Sequence, residues 1–174
     1  PNKRIVYLTG EAFFDVAEDK TRPFTIYSGS LSTTALGTSF NVRAYPEEQK
    51  LSVALVTGKV EVDNFEIDTS EILIPNEQLV YNVQELESIK QHFDTELVTG
   101  WHKGLLIFQN SDFNDVVEKL ERWYGVSFEI QKLPTYQKEY RGRFNYQSLE
   151  EVLQVMSFTS GFSYIINDKN VIIN

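Results

Sequence analysis

Cysteine is missing from this 174-residue chain, so neither a disulfide nor a thiolate metal site can form. That removes the usual marker of an oxidising compartment without excluding one. Histidine occurs only twice, at His92 and His102. Two imidazoles that far apart in sequence, without companions, do not have the spacing of a metal pair, and a solvated or packing role is expected. No G-x-S-x-G, P-loop or G-x-G-x-x-G pattern occurs, which removes the commonest hydrolase, phosphate and dinucleotide signatures. With no nucleophile set beside a base and an orienting group, neither catalysis nor a cofactor is expected. Carboxylates are plentiful enough for a glycosidase pair, but most fall at helix starts or in polar alternation, where capping and solvation account for them. Basic residues are scarce. Sixteen Lys and Arg against 25 Asp and Glu leave a net charge of −9, which argues against nucleic acid or an anionic membrane as partner. No run of about 18 apolar residues is present, so no membrane-spanning helix is expected. An initiator methionine is also lacking. The chain opens at Pro1-Asn-Lys-Arg4 directly before a strand, as a piece of a longer protein would, and a signal or anchor could lie in the missing part.

What is present includes a repeat. Residues 108–130 lie over residues 144–166 without a gap, at a constant offset of 36. Phe108/Phe144, Val116/Val152, Gly125/Gly161, Ser127/Ser163 and Ile130/Ile166 are identical. Phe113/Leu149, Val117/Leu153, Leu120/Met156, Val126/Phe162 and Phe128/Tyr164 keep apolar character. Cap, apolar face and stop signal recur in the same order, which marks a supersecondary unit. In the second copy Ser148-Leu-Glu-Glu151 predicts a capping box, and Leu149, Val152, Leu153 and Met156 recur at helical spacing. Asp112, Asp115 and Gly125 occupy the equivalent positions of the first copy. Gly125 and Gly161 each supply a left-handed stop. An alternating strand follows each glycine, and Val171–Ile173 predicts a last one. Residues 101–174 therefore read as a small α+β domain of two β-α-β repeats, with copies at about 104–131 and 140–167.

Residues 1–83 read as all-β. Short alternating runs at 4–8, 12–16, 24–27, 32–36, 40–44, 51–56, 59–62, 71–74 and 78–82 are broken by turn residues. Pro23, Pro46 and Pro75 fall between the runs, where a missing N–H costs no ladder bond. Val6–Ala12 and Ala54–Val60 echo each other as strand, glycine corner, strand. That pattern predicts a twisted sheet or β-roll turning at Gly10 and Gly58. Residues 84–100 are polar and read as a connector carrying at most one strand.

Hydrophobic content of 41% suffices for two cores, yet nothing in the residues resembles an active site, and they point to a binding module. Six residues are candidates for partner contact. Trp101 either packs over the domain boundary or meets a partner, as interface aromatics do. In Tyr140-Arg-Gly-Arg-Phe144, alternation places Arg141 and Arg143 on one strand face. There they could receive a partner's carboxylates or pair internally with Glu129 or Glu139. Trp123 and Tyr124 face Thr159 and Ser160 in the alignment of copies, so the repeat itself does not require aromatics there; end-of-helix packing is the alternative.

The motifs also carry a family resemblance. Arg4–Ala17, Arg22-Pro-Phe24, Ala35–Val42 and Val56–Val62 resemble a FecR domain in order and spacing. Ile74-Pro-Asn-Glu-Gln78 is similar to that family's Pro-Gly-Glu-Gln turn, with Asn76 for glycine, a mild departure because asparagine tolerates left-handed backbone. Trp101-x-x-Gly-x-Leu-x-Phe108, Leu120–Val126 and Leu149–Leu153 resemble the C-terminal companion domain of FecR-type anti-sigma factors. The resemblance implies the periplasmic part of a single-pass inner-membrane regulator. Such a protein senses the signalling domain of a TonB-dependent transporter and holds a sigma factor through a cytoplasmic segment outside this chain. It further implies likeness of the repeat to the short secretin/TonB domain of such transporters, hence docking by edge-strand addition or a helix face. It assigns no catalytic residue. Two other classes stay open. A carbohydrate-binding module would show aromatics in a row on one sheet face of residues 4–83. A structural spacer would tolerate substitution on every exposed face.

Overall fold

The computed structural model describes residues 4–134 and 139–174. The chain divides into two compact units, residues 1–102 and 103–174. The first holds β1 (Arg4–Tyr7), β2 (Gly10–Val16), β3 (Phe24–Ser28), β4 (Leu31–Ala35) and β5 (Thr38–Ala44). It continues with β6 (Lys50–Thr57), β7 (Val60–Asn64), β8 (Thr69–Leu73), β9 (Glu77–Asn82) and β10 (Glu87–His92). Each of the nine alternating runs coincides with one of β1–β9. They form two five-stranded sheets, ordered β1-β3-β4-β7-β8 and β10-β9-β6-β5-β2. Antiparallel hairpins are laid down alternately, β3–β4 and β7–β8 in one sheet, β5–β6 and β9–β10 in the other. The alternation turns one set of side chains inward, most regularly along β7 and β9. Ile26, Leu31, Val60, Val62 and Leu73 from the first sheet meet Phe40, Val42, Val53, Leu55, Leu79 and Tyr81 from the second in one core. Two sheets closing on a shared core make a rolled two-layer unit.

Two of the crossings between the sheets turn at the expected glycine corners. Gly10 enters β2 at φ 101° and Gly58 separates β6 from β7 at φ 86°. At Gly58 a side chain is also excluded by space, because a Cβ would sit 2.7 Å from the Gly37 carbonyl oxygen and 2.6 Å from Thr38 Cγ2.

The expected connector is corrected here, since residues 84–102 belong to the first unit. β10 pairs along its whole length with β9. A short helix, α1 (Thr95–Thr99), follows, with the Asp94 carboxylate accepting from the Glu96 and Leu97 amides. A 3-10 turn over Gly100–Lys103 leads onward. β10 was obscured in the sequence because it is an edge strand, exposed on nearly every residue. Only its backbone pairing, not apolar alternation, defines it.

The second unit holds β11 (Leu105–Ser111), α2 (Phe113–Tyr124), β12 (Ser127–Ile130), β13 (Tyr140–Asn145), α3 (Leu149–Ser160), β14 (Tyr164–Asn167) and β15 (Asn170–Ile173). The repeat is visible residue by residue. Both helices carry a full capping box, at Asp112/Asp115 and Ser148/Glu151. Both stop at a left-handed glycine, Gly125 at φ 64° and Gly161 at φ 69°. Ahead of each cap the chain bends through another left-handed residue, Asn110 at φ 54° and Tyr146 at φ 52°. One expectation changes in detail: the two strands of a copy do not share a sheet. β11 pairs antiparallel with β13. β12 and β14 flank β15, the first parallel and the second antiparallel. β15 lies outside the repeat and is buried at Val171 and Ile173, so it takes the central place that would otherwise join the copies directly. Leu106, Phe108, Val116, Leu120, Phe144, Val152, Leu153 and Met156 fill the core beneath the helices.

Candidate interaction surfaces

Trp101 lies at the end of the first unit and fastens to that unit's own β5. Its indole Nε1 donates to Asn41 Oδ1 at 3.1 Å. Asn41 is 1% exposed, and its Nδ2 donates to Glu11 Oε1 at 2.8 Å. Glu11 Oε2 accepts from Arg43 Nη1 at 3.0 Å, and Arg43 Nε donates to Glu48 Oε2 at 2.8 Å. Burial pulls the Arg43 guanidinium down, but its hydrogen bond to Glu48 and the charges of Glu11 and Glu48 outweigh that and hold it above its ordinary value. His102 stacks on Phe13 with ring centroids 3.9 Å apart and planes 9° from parallel. His92 Nδ1 lies 3.1 Å from the Asn76 carbonyl oxygen. Among the described residues no three His, Asp or Glu side chains gather as metal ligands would.

In the second unit the other candidates separate into inner and outer residues. Tyr140 is buried and its ring packs 6.2 Å from that of Phe113. Burial pushes its phenol up, with a smaller opposing influence from the nearby Ser160 side chain. Trp123 and Tyr124 pack against the core, and the Tyr124 hydroxyl donates to the Gln147 carbonyl at 2.8 Å. Burial, then the Glu151 carboxylate, raise the Tyr124 phenol. Arg141 and Arg143 are exposed on one face of β13, as alternation requires, while Tyr140 and Phe144 turn inward. Arg141 Nη2 sits 3.8 Å from Glu139 Oε2, both side chains being largely exposed, so the pair is a weak one. The structure thus buries Tyr140, holds Trp123 and Tyr124 half-buried against the core, and leaves the two arginines on the surface.

Other surface groups were not singled out from the sequence. On α3, Phe158 is 91% exposed and Val155 is exposed beside it, one helical turn away. Ile165 and Ile166 are exposed on β14, an outer strand of its sheet. The signal for the helix face was present in the repeat. Val155 and Phe158 occupy the positions held in the first copy by Lys119 and Arg122, so one helix presents cations where the other presents apolar groups. On the first unit, Tyr7, Tyr27 and Phe65 form a row.

Two comparisons bear on these surfaces. Residues 2–61 match the family model described as FecR protein, and residues 105–173 match the one described as FecR, C-terminal. Two crystal structures of a candidate anti-sigma factor from Parabacteroides distasonis, at 1.65 and 2.50 Å resolution, are similar to the whole chain. The first is 33% identical with a TM-score of 0.79, over 100% of this chain and 81% of that one. The second gives the same identity and TM-score over 99% and 80%. No curated protein sequence matches.

Proposed function

This chain belongs to the FecR family, and from that membership we propose that it is the sensor region of a membrane-anchored anti-sigma factor. In this reading it lies in the periplasm and relays a signal from a TonB-dependent outer-membrane transporter to an extracytoplasmic-function sigma factor. It acts by binding protein, through the transporter's signalling domain. The sigma factor is held by a cytoplasmic segment outside these residues. None of the described helices is long and apolar enough to cross a membrane; in this reading the anchor, like the sigma-binding segment, is not among these residues.

The observation that carries the reading is Phe158, held almost wholly in water on the outer face of α3. An aromatic side chain so placed loses solvation free energy until something covers it. Val155 on the next turn and Ile165 and Ile166 on β14 extend the uncovered apolar surface of the same unit. Aromatic anchors of this kind carry a large share of protein–protein binding energy. β14 adds a sheet edge, and Arg141 and Arg143 on β13 add a cationic face for a partner's carboxylates. The decisive measurement is affinity for the signalling domain of the cognate transporter. Phe158→Glu is expected to weaken it at least about tenfold, or about 1.4 kcal/mol. Affinity unchanged in Phe158→Glu would remove the partner from α3.

A further inference from the structure

We propose that the outer face of the β1-β3-β4-β7-β8 sheet is a binding site for a neutral glycan chain. The proposal goes beyond the anti-sigma reading and rests on a different unit. In this sheet Ile26, Leu31, Thr33, Ala35, Val60 and Val62 are buried. Their alternates therefore turn outward. The register places Tyr7 beside Tyr27, Tyr27 beside Ser32, and Ser32 beside Asp63. Next along the strands come Thr25, Thr34 and Glu61 in the same order.

The rings form a continuous row. Tyr7 and Tyr27 have centroids 5.5 Å apart with planes 23° from parallel, and Tyr27 and Phe65 6.4 Å and 24°. At these separations the rings are offset rather than directly superposed, so the row extends sideways across the sheet. Tyr7 is 80% exposed and Phe65 63%. Tyr27 is half-buried between its two neighbours, whereas the end rings, Tyr7 and Phe65, keep a face in solvent and can each take the C–H face of a pyranose, since a ring's negative face attracts C–H groups. Beside the row stand the groups that sugar hydroxyls bond. The Asp63 carboxylate accepts from the buried Ser32 Oγ at 3.3 Å, the Thr25 and Thr34 hydroxyls lie 3.3 Å apart, and Ser70 Oγ donates to Glu61 Oε1 at 3.5 Å.

Charge selects among glycans. The outward residues of β3, β4 and β7 carry the carboxylates Asp63 and Glu61 and no cation. A uronate or sulfated chain would be repelled there, whereas a neutral one offers only hydroxyl donors and acceptors. The same acidity in a chain of net charge −9 disfavours stacking of this face on a second copy of itself.

The test is native affinity electrophoresis of the 174-residue chain in gels containing hydroxyethylcellulose, galactomannan or xyloglucan, with polygalacturonate as the anionic comparison. Retardation is expected in at least one neutral gel and not in polygalacturonate. Tyr7→Ala and Phe65→Ala should each lower the apparent affinity at least fivefold while leaving the thermal melt in place, because both rings are largely solvent-exposed. Migration unaffected by all three neutral polysaccharides would overturn the proposal. So would wild-type retardation in either variant, or equal retardation by polygalacturonate. A concentration-dependent dimer in sedimentation that Tyr7→Ala abolishes would also overturn it, by assigning the face to self-association. Failure of Phe158→Glu to affect transporter binding leaves this experiment untouched.

Discussion

Trp101 ends a line of side chains that runs through Asn41, Glu11 and Arg43 to Glu48. Because Asn41 is almost fully buried, its amide oxygen has no water to turn to if the indole N–H is taken away. Trp101→Phe keeps most of the packing and removes that donor, so the first unit should lose about 1–3 kcal/mol, read as a lower urea midpoint. Asp19 gives a second residue-level expectation. Its carboxylate accepts from the Thr21 hydroxyl and from Arg22, which lowers it from 3.8 to about 2. A carboxylate depressed in the folded state stabilises above its ordinary value, and the contribution is lost as pH falls from 3.8 toward about 2. Asp19→Asn should lower stability near neutrality, where the carboxylate contributes in full, change it little below about pH 2, and so flatten the acid limb over that window. The surface was only partly legible at this scale. Phe158 and Val155 could have been found by reading Arg122 and Lys119 across the repeat. The row of Tyr7, Tyr27 and Phe65 could not, because β1 pairs with β3 and passes over β2 in the sequence. A non-local parallel pairing leaves no local periodic trace.

At the scale of elements, the glycines separate two physical costs. Gly125 caps α2 at φ 64° with open space around the missing Cβ. Gly125→Ala should therefore cost only the left-handed backbone term, about 1–2 kcal/mol. Gly58→Ala adds a collision with the Gly37 carbonyl and Thr38, so it should lose more stability than Gly125→Ala in matched denaturant titrations. Equal losses would mean that the corner relaxes freely. Elements with a strong local signature were readable. The caps of α2 and α3 appear in the sequence as Asp112 with Asp115 and Ser148 with Glu151, and strand alternation located β1–β9. β10 was legible only as the single strand the polar segment could carry, since it is polar on both faces, and α1, a five-residue turn of helix, was not readable. Sheet membership in the second unit was hidden for another reason. Whether β12 joins β11 or β15 is decided by packing on the shared core, to which both strands present similar apolar residues.

On the scale of the whole molecule, two cores without a common residue imply two separable unfolding events. Leu153 is 1% exposed in the second core. Leu153→Ala should cost that unit about 2–5 kcal/mol, and calorimetry should show one transition lowered with the other in place. A single transition shifted as a whole would show instead that the units melt together. The place of β15 carries a further consequence. It is the last strand of its unit in sequence and the middle one in its sheet, with β12 and β14 bonded to its two sides. During synthesis, strands made earlier must wait with their inner edges open until residue 173 has left the ribosome. A protease that cut in the Asp168–Lys169 turn would free the one strand that both neighbours share, and the sheet would come apart from its centre.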